Sequence, residues 1–78
     1  MIFLIEYDRK QGQLVTFESF GDSDRKKAEE VRLQLELDLN LKGTDNEVVL
    51  LEAATEEAVR RTHRRYFENL AELITAPV

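Results

Sequence analysis

The 78-residue sequence has no cysteine, no tryptophan, one histidine, one proline and three glycines. Each shortage excludes something. Without cysteine there is no disulfide and no thiolate to act as nucleophile or ligand. One histidine cannot build a histidine-rich metal site, and neither a metal nor a cofactor is expected. No glycine-rich phosphate loop, no H-E-x-x-H pair and no calcium-loop spacing of carboxylates occurs. No apolar run approaches the roughly 18 residues that a membrane-crossing helix needs. The apolar start, Met1 to Ile5, is too short for a signal peptide and lacks a basic leader. The missing thiols agree with a reducing compartment, so the expected location is cytoplasmic.

What the chain does have is charge. Charged residues make up 35%, apolar residues 42%, and the net charge is −5. That apolar share is enough for a packed core. The acidic balance argues against a general nucleic-acid binder or a ligand for anionic membranes. The length implies one domain, residues 1–78. Domains below about 80 residues commonly need disulfides, a metal or oligomerisation to hold together. Disulfides and a histidine-rich metal site are out, so self-association is the remaining common route, with a homodimer the simplest form.

The most informative stretch is Val31 to Leu41, V-R-L-Q-L-E-L-D-L-N-L. Apolar residues fall at every second place, as in a strand with one apolar face. A strand here would ladder with the run after residue 46 through a loop at 42–46. The residue types favour a helix instead. The alternation is built from leucine among Arg, Gln and Glu, all good helix formers, with only Val31 from the β-branched set. Asp22 or Ser23 suits a helix cap, Asp24 the first turn, and Gly43 after Lys42 the stop. At about 100° per residue, Ala28, Val31, Leu35 and Leu39 form one stripe. Leu33, Leu37 and Leu41 form a second, nearly opposite. The first is expected to cover a sheet. The second has nothing of its own chain to cover and is the expected oligomer interface.

The remaining elements follow from local chemistry. Residues 2–7, I-F-L-I-E-Y, read as a strand, and 13–20 as the returning strand of a hairpin. A loop over 8–12 would set Phe3 opposite Phe17, Ile5 opposite Val15, Leu4 opposite Thr16, Ile2 opposite Glu18 and Glu6 opposite Leu14. A helix spans 23–42, a third strand 47–53, and a second helix 56–74 capped by Thr55, with 75–78 a frayed tail. The expected fold is α+β: β-β-α-β-α, with a three-stranded mixed sheet in order 2-1-3 and the outer strands parallel to each other. Both helices are expected on the face of Phe3, Ile5, Val15 and Phe17, leaving the face of Ile2, Leu4 and Leu14 bare and in need of a partner.

Three constellations are candidates for function. Arg60, Arg61, Arg64 and Arg65 lie in R-R-T-H-R-R and offer a grip for phosphate, nucleic acid or an acidic protein surface. The same arginines have Glu56, Glu57 and Glu68 at helical spacing, so the competing reading is a salt-bridged surface. His63 falls among Val59, Tyr66, Phe67 and Leu70 on the wheel, not among the arginines. It is the one weak catalytic candidate, as a general base beside a tyrosine or a glutamate; otherwise it is a partly buried histidine bonded to a neighbour. That enzyme reading requires a concave pocket near the middle of the second helix. Glu6, Glu18 and Glu52, with Thr16, share one sheet face and could hold a metal or transfer protons, against ordinary polar relief on a half-exposed face. The overall expectation is a small non-enzymatic homo-oligomeric module that acts by binding protein, with anion or nucleic-acid binding and a small His63 enzyme as alternatives.

Overall fold

A computed structural model describes residues 1–68. The elements are β1 (Ile2–Asp8), β2 (Gln13–Phe20), α1 (Arg25–Lys42), β3 (Glu47–Glu52) and α2 (Glu56–Thr62), with 3-10 turns over Asp22–Asp24 and Arg64–Tyr66. The sheet has three strands in the order β2-β1-β3, which makes the fold α+β. β1 is antiparallel to both neighbours. β2 and β3 therefore run parallel to each other but never touch, and the sheet is antiparallel throughout, not mixed.

The stretch 31–41 is helical. Gly43 ends α1 at φ 70, and the N–H groups of Gly43 and Thr44 return to the carbonyls of Asn40 and Leu39 at 3.1 and 2.9 Å. Ala28 and Leu39 are buried, and Val31 and Leu35 half-buried, as one stripe requires. The opposite stripe lies in the open: Leu33 is 57%, Leu37 48% and Leu41 87% exposed.

The hairpin differs from expectation by one place at Gln13 and Leu14 and by two from Thr16 onward. Phe17 lies opposite Ile5 and Thr16 opposite Glu6, and then the register shifts so that Leu14 lies opposite Tyr7. β1 continues to Asp8, whose carboxylate Oδ1 accepts the N–H groups of Lys10 and Gln11 at 2.9 and 3.1 Å. This side-chain-built turn takes fewer residues than a five-residue loop, and the slack appears as a bulge at Val15. Val15 is thus 55% exposed instead of in the core, and Leu14 takes the core place beside Tyr7. A shift of two preserves the faces, so Phe3 and Phe17 still stack diagonally with centroids 5.5 Å apart.

Both faces of β1 are covered. On the odd-numbered face Ile5 and Tyr7 pack with Tyr66, and Leu14, Phe17, Val49, Leu51 and Phe67 close around them. These contacts bring the segment after α2 onto that face. The even-numbered residues Ile2, Leu4 and Glu6 are buried too. On that side Arg25 of α1 pairs with Glu52, which lies opposite Ile2, and Leu39 and Asn40 line a cleft with Val48, opposite Glu6. α1 therefore lies over the even face. The sequence reading left this face bare and put both helices on the other. The spacing of Ala28, Val31, Leu35 and Leu39 shows that α1 needs a sheet, but not which side of it.

α2 is shorter than the expected 56–74. Thr55 caps it as predicted, its side chain accepting from the Ala58 N–H at 3.1 Å. The helix stops at Thr62, because His63 takes φ −127 and ψ 51, outside the helical region. Thr62 Oγ1 bonds back to the Ala58 carbonyl at 3.0 Å, a contact that competes with the regular helix ladder. The break turns Tyr66 and Phe67 down onto the sheet. The expected helix beyond residue 68 and the tail at 75–78 lie outside the described residues.

Candidate functional site

Two polar clusters are built at the end of β1 where Tyr7 meets Glu47. The first is on the odd face. Tyr66 donates its hydroxyl to Glu47 Oε2 in a short hydrogen bond. Arg65 Nη2 reaches the same oxygen at 2.9 Å and the Tyr66 hydroxyl at 2.6 Å. Arg9, in the β1–β2 turn, approaches Glu47 Oε1 at 3.5 Å. The Arg65 guanidinium lies 4.1 Å from the Tyr66 ring centroid, and Tyr7 meets Tyr66 edge-on at 5.3 Å. The hydrogen bond from Tyr66, helped by Arg65 and Arg9 against the cost of burial, holds the Glu47 carboxyl below its ordinary value. Burial and then the Glu47 carboxylate push the Tyr66 phenol above its own. The arrangement fixes Glu47 as an anion and Tyr66 as a neutral donor at physiological pH.

The second cluster is on the even face. Glu6, 5% exposed, accepts from Thr16 Oγ1 at 2.9 Å and from Asn46 Nδ2 at 2.7 Å. Of the proposed carboxylate trio, Glu6 is buried and bonded, while Glu18 and Glu52 are exposed and Glu52 is taken by Arg25. No group of three metal-competent side chains occurs among the described residues. Glu6 reads as a structural carboxylate, held by two neutral donors and joining β2, β1 and the turn after α1.

A cleft of about 260 Å³ opens near both clusters, lined by Arg9, Glu36, Leu39, Asn40, Thr44, Asn46, Glu47 and Val48. His63 is not in its lining. The His63 ring is half-buried, stacks near Tyr66 at 6.4 Å between centroids, and has Nδ1 2.9 Å from Thr62 Oγ1. The structure thus places the weak catalytic candidate beside Tyr66 but away from this concavity.

The four arginines of the basic run are each matched to a carboxylate. Arg60 meets Glu56 at 3.2 Å, Arg61 Glu57 at 2.9 Å, Arg64 Glu68 at 3.0 Å and Arg65 Glu47 at 2.9 Å. Arg60 also covers the rings of Phe67 and Phe17, 4.6 and 5.5 Å from their centroids. Arg60 and Arg65 are therefore partly lids on core aromatics as well as members of a salt-bridged surface. Asn46, Arg9 and Glu47 were not singled out from sequence. Only the β1–β3 register brings them together, and pairing Tyr7 with Glu47 would have pointed to them.

Comparison with protein-family models, with curated proteins and with solved structures finds no match. No helix among the described residues is long and apolar enough to cross a membrane.

Proposed function

We propose that the chain is a non-enzymatic, self-associating module, a homodimer joined through Leu33, Leu37 and Leu41, that works by engaging protein. The observation behind this reading is the exposure of all three leucines on the outward side of α1, while the inward stripe is already used against the sheet. Three leucines at i, i+4 and i+8 make a row that is its own complement when a second copy is turned about Leu37, as an isologous contact requires. The second support offered by sequence, an uncovered sheet face, is gone, because Ile2 and Leu4 are buried within the chain. Anion binding draws no support from an arginine cluster already engaged by Glu47, Glu56, Glu57 and Glu68.

Solution mass by light scattering over a concentration series tests the reading. The wild type is expected at twice the chain mass or more, and Leu37→Lys at half the wild-type mass or less, with unchanged circular dichroism. A folded wild type that stays at the chain mass at high concentration removes the proposal.

A further inference from the structure

The outer edge of β3 is built to pair. Met1 and Ala53 exchange both backbone bonds, at 2.9 and 3.1 Å. With Ile2 opposite Glu52 and the register regular to Tyr7 opposite Glu47, the ladder alternates from that pair. The backbone groups of Glu47, Val49 and Leu51 thus turn toward β1, and those of Val48, Leu50 and Glu52 turn outward. Among the described residues the sheet ends there, and no other backbone bond reaches those three. Outward-facing strand groups without partners template the addition of another strand.

The two sheet edges are not alike. β2 carries the bulge at Val15 and the polar residues Gln13, Thr16, Glu18 and Ser19, features that blunt an edge. β3 is a regular run with no bulge, no proline and no lysine, and its Val48, Val49, Leu50 and Leu51 are only half-buried.

We infer that β3 pairs antiparallel with β3 of a second copy, Leu50 facing Leu50, to make one six-stranded sheet in the order 2-1-3-3-1-2. The register follows from the phase of the ladder. Centred on Leu50, Val48 lies opposite Glu52, so every outward N–H and C=O of Val48, Leu50 and Glu52 finds a partner. Glu52 faces Val48 and Glu47 faces Ala53, so no two carboxylates oppose each other. The two-fold axis stands normal to the sheet and keeps the faces continuous. α1 contacts both β1 and β3. With strands about 4.8 Å apart, the two α1 helices come side by side near the 8–10 Å at which helices pack. This contact is separate from the leucine row of α1, so a chain that uses both assembles past the dimer.

Amide hydrogen exchange on the full chain, read residue by residue by NMR at low and high concentration, tests it. Raising the concentration is expected to slow exchange at Val48, Leu50 and Glu52 on the order of tenfold or more, with Val49 and Leu51 protected throughout. A mixed-isotope sample should show α-proton contacts between Val49 of one copy and Leu51 of the other, in the wild type and in Leu37→Lys alike. Fast exchange at the three amides at every concentration overturns the inference. So does protection with no contact between copies, since the cover then comes from the same chain. Either result leaves the α1 interface to stand or fall on the Leu37→Lys mass.

Discussion

The Tyr66 hydroxyl donates to the Glu47 carboxylate, joining the turn that follows α2 to the first residue of β3. Glu47 sits opposite Tyr7, and Tyr7 packs edge-on against Tyr66, so one bond, one strand pair and one ring contact close a loop of three residues. Tyr66→Phe is expected to cost about 1–3 kcal/mol, because it leaves a mostly buried carboxylate short of its nearest donor. Denaturant melts of the two proteins at neutral pH measure this.

The same pair sets a pH dependence. Glu47 titrates lower in the fold than in the unfolded chain, so its contribution is complete above the ordinary glutamate value of 4.5 and is lost as pH falls through the lower folded value. Tyr66 titrates higher in the fold, so its contribution is complete below the ordinary phenol value of 10.0 and is lost as pH rises through the higher one. Wild-type stability should therefore fall at both ends, and Glu47→Gln should flatten the acid side. Stability measured against pH for both proteins checks the sign. A wild-type and Glu47→Gln difference that stays constant as pH drops below the glutamate range contradicts it.

Asn46→Ala should destabilise by about 1–3 kcal/mol, the cost of leaving a buried acceptor unmet. Asn46 provides the shorter of two bonds to Glu6, at 2.7 Å. If Glu6 instead has ready access to water, the melt of the variant will overlay that of the wild type.

The hairpin register can be read from two substitutions. Val15→Thr, at the bulge, should change stability by no more than about 0.5 kcal/mol, as exposed positions do. Phe17→Ala should cost on the order of 2–4 kcal/mol, below the full core value because the ring is only half-buried. Equal losses at both positions would restore Val15 to the core.

Gly43→Ala forces a side chain into the left-handed conformation that ends α1, where φ is 70. Nothing crowds the added methyl, so the cost is conformational alone, about 1 kcal/mol. A thermal melt of the variant measures it.

Elements defined by local chemistry were legible in the sequence. α1 was recognisable because leucine and charged helix formers outweigh a strand-like alternation, and Gly43 stops it where expected. Strand order followed from the crossover of α1 over β1, which puts the all-apolar Ile2–Ile5 at the centre of the sheet. Whatever depended on distant parts meeting was not legible. The Asp8 turn and the bulge at Val15 together moved the hairpin by two residues, and an apolar stripe carries no label for the face it will cover. Glu6 and Asn46 are 40 residues apart, and Glu47 and Tyr66 19, so neither pair leaves a spacing signature. The arginine pairs at i, i+4 were legible because both partners sit on one turn of helix.

β1 is hidden on both faces and flanked on both edges, yet its second neighbour lies beyond the whole of α1 in the chain. A hairpin alone satisfies one edge of β1 and leaves Ile2, Leu4 and Glu6 wet. Enclosure of the core must therefore wait for a long-range closure, which makes assembly slow relative to helix growth and leaves those apolar side chains exposed until it completes. Co-expressed holdase chaperones should raise the yield of this chain more than they would for an all-helical chain of equal length.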